Sequence, residues 1–121
     1  MDGFLDEFER TRLTIDFGHG PLDAIVDTAF TGALLVGEEV FNREAAVAAG
    51  TAEAELAAEQ EYEFDAYDVK FSWFGLQIEA RVLVGPGKEC LLGTALLTPH
   101  HLDIDYEARI VRIVRGKSWV E

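Results

Sequence analysis

A chain of 121 residues with 49% hydrophobic and 27% charged side chains has the composition of one globular domain, residues 1–121, and is too short for two full cores. Its 23 acidic against 10 basic residues leave a formal charge of −13, a field that repels phosphate backbones and anionic bilayers, so neither nucleic acid nor membrane is an expected partner. The lone Cys90 can form no internal disulfide, Met1–Glu7 has no basic segment leading into an apolar run, and no stretch approaches the ~18 apolar residues of a membrane span, so a cytoplasmic location is expected.

Along the chain, residues 11–17 (TRLTIDF) alternate polar and apolar as a half-buried strand does. Gly18-His19-Gly20-Pro21 supplies turn chemistry, and Leu22–Val26 forms the second arm of a hairpin. That arm runs into the polar loop Asp27–Gly32 and then the apolar Ala33–Val36. Between Glu38 and Ala49 the near-3.6 spacing of Val40, Phe41, Ala45 and Val47/Ala48 predicts a helix, with Gly50 as its stop. Residues 51–64 are rich in Ala and Glu, which favour helix, yet Ala52, Ala54, Leu56, Tyr62 and Phe64 alternate with Glu53, Glu55, Glu61 and Glu63, which predicts strand.

Two long neighbouring strands follow at Tyr67–Trp73 and Leu76–Val84, joined by a Phe74-Gly75 turn. Gly85–Lys88 breaks the pattern before the short apolar run Cys90–Leu92, and a helical turn then opens at Gly93 and closes near Pro99. Leu102–Tyr106 and Ile110–Val114 read as a final hairpin. The sum is an all-β protein of about eight short strands with one short-to-medium helix and a helical turn.

The loop Asp27–Gly32, set between two apolar strands, can hold a carboxylate at the end of a rigid strand. Hydrolysing a peptide without a metal takes one carboxylate to accept a proton from water and a second carboxyl group to protonate the carbonyl oxygen. Two carboxyls that share a site hold one proton between them, because both cannot ionise cheaply. The plain alternative for Asp27 is a turn aspartate bonded to its own loop.

Ala24-Ile25-Val26-Asp27-Thr28-Ala29-Phe30-Thr31-Gly32 resembles the active-site loop of the retroviral-type (retropepsin-like) aspartic peptidases, whose usual form is Asp-Thr/Ser-Gly. Leu91-Leu92-Gly93-Thr94-Ala95-Leu96-Leu97 resembles that family's hydrophobic-hydrophobic-Gly element and the short helix after it, Arg81–Pro86 the strand feeding it, and Leu102–Tyr106 the closing strand. The two motifs stand in order, about sixty residues apart, and the likeness is to the small single-domain cellular members.

The resemblance implies a half-barrel fold in which Asp27 activates water, Thr28 braces the partner subunit, Ala29 turns its N–H toward the carboxylates and Gly93 packs behind the loop. It also implies substrate contacts from Leu92, Gly93 and a flap within residues 51–64, its tip near Ala57, Ala58, Glu59 and Gln60. Only one such motif is present, so the second carboxylate has to come from a homodimer acting on a polypeptide substrate, with no cofactor or metal. Ala29 departs from the usual glycine, and the flap segment has no glycine. An inactive dimer of the same fold that binds peptides or proteins is the alternative.

Elsewhere, His100 and His101 point different ways and read as a surface helix end, while His19 reads as an exposed turn residue. The glutamates of 53–63 with Asp65 read as a solvated strand face, Cys90 as a small buried apolar side chain, and Phe71, Trp73 and Phe74 as core or interface aromatics.

Overall fold

The computed structural model describes residues 1–17, 20–56 and 60–119, with the backbone alone at 55, 56, 60 and 61. Ten strands are present among them: β1 (Asp2–Leu5), β2 (Thr11–Asp16), β3 (Pro21–Val26), β4 (Leu34–Gly37), β5 (Val47–Leu56), β6 (Gln60–Trp73), β7 (Leu76–Gly85), β8 (Cys90–Leu92), β9 (His101–Asp105) and β10 (Ile110–Val114). A single helical turn, α1 (Thr94–Leu97), lies between β8 and β9. No helix among the described residues is long and apolar enough to cross a membrane.

The sheet runs β5-β6-β7-β4-β8-β3-β2-β1-β10-β9, and a contact of β2 with β6 at Asp16–Ser72 closes its middle into a barrel. Strand alternation explains the core. Thr11, Leu13 and Ile15 of β2 point inward while Thr14 and Asp16 face solvent, and Val111 and Ile113 of β10 do the same against exposed Ile110, Arg112 and Val114. Trp73, Phe71, Leu34, Val82 and Leu92 fill the interior they enclose. Each strand pair is antiparallel except β3 with β8 and β4 with β7.

The expected hairpins at 11–26, 67–84 and 102–114 are all present. So is strand rather than helix over 51–56 and 60–64, where Ala52 pairs with Phe64 and Ala54 with Tyr62. The expected flap tip, Ala57–Glu59, lies outside the described residues, as does His19.

The helix expected over Glu38–Ala49 does not form. Glu38–Val40 is a turn, Arg43–Ala45 is one 3-10 turn capped by Asn42, and β5 begins at Val47. Tertiary pairing overrides local propensity here. The amides of Glu38 and Glu39, which a helix would leave for its first turn, donate to the carbonyls of Gly85 and Gly87 (2.8 and 3.0 Å). Phe41 stacks on Tyr67 at 4.9 Å, and Val47 and Ala48 pair with Asp68 and Tyr67. Gly50, with φ of +82°, sits in a bulge of β5 and ends no helix.

Strand β1 was not legible in the sequence. It pairs with β10 and β2 together, and the Met1 ammonium donates to the Ile113 carbonyl at 2.7 Å.

Candidate active site

Asp27 follows directly on β3, which lies parallel to β8 with Val26 opposite Leu92. This register brings two segments far apart in sequence to one place, and the Asp27 amide donates to the Leu92 carbonyl at 2.9 Å. The loop then turns back on itself. Phe30 N–H donates to the Asp27 carbonyl at 3.1 Å, and the Ala29 N–H donates to Asp27 Oδ1 at 2.9 Å. Asp27 is half-buried, and Thr28 and Ala29 are exposed beside it. One carboxylate oxygen is thus fixed by a backbone donor while the loop keeps its polar side toward solvent.

The loop is held from behind. Phe30 is completely buried and plugs the barrel under it, packed with Ala54, Ala66 and Leu83. Its carbonyl accepts from Thr94 N–H (2.9 Å) and Thr94 Oγ1 (3.3 Å), and Gly93 N–H donates to the Ala33 carbonyl at 2.9 Å. A Cβ on Gly93 would lie 2.2 Å from the Gly32 oxygen and 2.5 Å from the Phe30 oxygen, so only glycine admits this approach. Leu92 and Gly93, expected among the substrate contacts, are therefore corrected: both are buried behind the loop and offer a substrate no surface. Ala57, Ala58 and Glu59, expected on the other side of the cleft, lie outside the described residues.

A cleft of ≈ 330 Å³ opens between the loop and the β5–β6 hairpin, lined by Thr31, Gly32, Ala33, Ala52, Ala54 and Leu83, with Glu53 and Arg81 at its rim. Arg81 also pairs with Asp68 at 3.2 Å. Glu53 stands opposite Glu63 on the hairpin, where like charges favour an outward, solvated face. A smaller cavity of ≈ 120 Å³, lined by Phe17, Leu22, Val36, Val40, Phe41 and Val69, lies at the opposite end of β3 from Asp27. No group of three or more His, Cys, Asp or Glu among the described residues is placed to hold a metal.

Two features beside the loop carried no sequence signal. By strand register, Arg12 faces Ile25 and Leu5 faces Thr11, so the β1–β2 turn stands level with Asp27. Asp6 builds that turn, accepting from the amides of Phe8 (2.9 Å) and Arg10 (3.0 Å) and from Nε of Arg10 (2.8 Å) and Arg12 (2.7 Å). Burial opposes its ionisation, but the bonds from Arg12, Arg10 and Phe8 outweigh it and hold the carboxyl well below the usual range. Arg109 of the β9–β10 turn donates to the carbonyls of Leu5 and Asp6 at 3.1 and 3.2 Å. The two turns are locked together, and they leave Phe8 68%, Tyr106 58% and Ile110 50% exposed.

No family model matches this sequence, and neither does any curated protein. The structure is similar to a retropepsin-like aspartic protease from Rickettsia conorii, with a TM-score of 0.56 and 17% identity over 92% of this chain and 86% of that one. It is also similar to a foamy viral protease-reverse transcriptase solved with an RNA/DNA hybrid, with a TM-score of 0.54 and 18% identity over 78% of this chain. The fold is retropepsin-like. At these identities the likeness is one of architecture, and this chain spans 13% of the foamy viral chain. Within the retropepsin-like frame, the sequence-derived pair of motifs meets in space: the Asp27 loop rests directly on Leu92-Gly93-Thr94.

Proposed function

We propose that this chain is an aspartic endopeptidase that works as a homodimer. The observation that carries the reading is the Asp27 carboxylate, fixed by the Ala29 N–H on a loop whose far end, Thr31–Ala33, lines a cleft in a retropepsin-like barrel. A two-fold axis beside the loop brings Asp27 of each copy together, and the pair shares one proton. The exposed Phe8, Tyr106 and Ile110 at the same end support such a contact, since apolar side chains held out to solvent gain by covering one another.

The ionised Asp27 takes a proton from a bound water as the water oxygen bonds to the peptide carbonyl carbon. The protonated Asp27 of the other copy gives its proton to the carbonyl oxygen, forming a gem-diol. Collapse of the diol breaks the C–N bond: the proton taken from water passes to the leaving nitrogen, and one diol hydroxyl returns its proton to the Asp27 of the other copy, so the pair again holds one proton. Thr28 braces the two loops beneath the carboxyls, and the β5–β6 hairpin covers the polypeptide.

The test is cleavage of an unstructured protein at mildly acid pH. Wild type is expected to cut it and Asp27→Asn to be inert; equal inactivity of both across pH and substrates overturns the reading. The exposed Ala29, where such loops carry glycine, favours a second reading, a non-catalytic dimer that binds peptide in the same cleft. Peptide binding without cleavage by wild type would support it.

A further inference from the structure

His100 is an unusual histidine for a strand entry. It lies between α1 and β9, half-buried, with Phe74, Trp119 and Trp73 ring centroids at 4.6, 5.3 and 6.0 Å. Its two ring nitrogens both face donors. Nδ1 accepts from the Gly116 backbone N–H at 2.9 Å, and Nε2 lies 3.4 Å from the Trp73 indole N–H. A neutral ring has one proton, so it can accept at one nitrogen only. The shorter contact places the bare nitrogen at Gly116 and the ring proton on Nε2. A second proton would aim a ring N–H at the Gly116 N–H at close range, the donor–donor contact that the neutral ring makes only loosely at Trp73.

The tail after β10 hangs on this contact. Gly116 packs so closely on Pro99 that an added Cβ would sit 2.5 Å from the Pro99 oxygen. Just before it, Arg115 spreads over the Trp119 ring at 4.7 Å and donates to the Trp119 carbonyl at 3.2 Å, folding the tail onto the ring cage. Among the described residues, the rings that pack on His100 are aromatic, and the charge that acts on it is that of Arg115. The β6–β7 turn brings uncharged Trp73 and Phe74, and the tail brings Arg115. The adjacent Met1 ammonium is held by the Ile113 carbonyl, and the neighbouring His101 is exposed on β9.

We propose that His100 is a proton-operated latch for the C-terminal segment Arg115–Trp119: the neutral ring holds the tail against the α1–β9 connection, and the imidazolium releases it. Burial first, then the Arg115 charge, pulls His100 below its ordinary value of 6.5. With the folded value depressed, the docked tail keeps its full stability above about pH 6.5 and loses it as pH falls from there. The latch stands apart from the peptidase reading, and its test reads no activity.

The experiment follows the His100 ring proton and the Gly116 amide by NMR from pH 7.5 to 4.5, with indole fluorescence alongside. In wild type the Gly116 resonance should move with the same midpoint as the His100 ring, below 6.5, as indole emission shifts red. In His100→Asn the amide oxygen can still accept from Gly116 but does not titrate, so the transition should vanish. A transition that persists in His100→Asn overturns the proposal. So does a wild-type Gly116 resonance that stays fixed while His100 protonates, a result that stands even if the variant fails to fold.

Discussion

Gly93→Ala tests how tightly the Asp27 loop is held. The new methyl carbon would lie 2.2 and 2.5 Å from two backbone oxygens, Gly32 and Phe30, and 2.6 Å from the Phe30 ring. Ordinary carbon–oxygen contacts are about 1 Å longer, so the loop must back away, and neither backbone oxygen can swing aside as a side chain would. Retreat strains the bonds from Gly93 N–H to Ala33 and from Thr94 N–H to Phe30, both 2.9 Å. Overpacking at about 1–3 kcal/mol and two weakened backbone bonds at about 1 kcal/mol each give a loss of about 3–5 kcal/mol. With a urea m-value near 2 kcal/mol/M, that lowers the denaturation midpoint by about 2 M. Ala29→Gly, in the same loop but exposed, should change stability by less than about 1 kcal/mol. A Gly93→Ala midpoint within about 0.5 M of wild type would refute the close packing of the loop on this glycine.

The Asp6 brace has a pH signature. Its carboxyl is held low in the folded chain, so it contributes stability above the unfolded value near 4 and loses it as pH falls below. Asp6→Asn should therefore flatten the stability profile below pH 4, seen by thermal melts across pH; an unchanged acid limb contradicts the brace. Cys90 is buried and its thiol is pushed up to about 12, chiefly by burial, so at pH 8 it should resist a thiol reagent until urea unfolds the chain. Rapid labelling of the native protein would contradict that. Phe8→Asp, at a side chain 68% exposed, should leave the fold intact and weaken self-association about tenfold or more by sedimentation. Unchanged association would remove Phe8 from the contact.

The sequence disclosed most of the barrel because half-buried strands carry their own period: Thr11–Phe17 and Tyr67–Trp73 alternate residue by residue. The meeting of the Asp27 loop with the Gly93 segment was legible for a different reason, since each sits in a local motif that can be read without knowing that β3 and β8 are neighbours. Where long-range pairing decides, it failed. Glu38–Ala49 has helical spacing, but its amides and its Phe41 are claimed by the β7–β8 loop and by Tyr67. Asp2–Leu5 is too short to show a period, and its partners in β10 lie at the other end of the chain. The role of His100 depends on Trp73, Phe74 and Trp119 converging from three segments, which no local pattern encodes. Gly93 lies behind the loop, where it was expected, but the substrate contact also expected of it and of Leu92 does not fit their burial, because adjacency in a motif does not tell how much of a residue is left exposed.

Subunit mixing addresses the shared carboxylate pair most directly. If the proposed homodimer is right, wild-type and Asp27→Asn chains unfolded together and refolded in varying ratio will form dimers at random, and only those with two carboxyls will cut. Cleavage of an unstructured polypeptide at mildly acid pH should then follow the square of the wild-type fraction, falling to about a quarter at equal mixing. A linear dependence, with half the activity left, would mean that one Asp27 suffices and would contradict the paired mechanism.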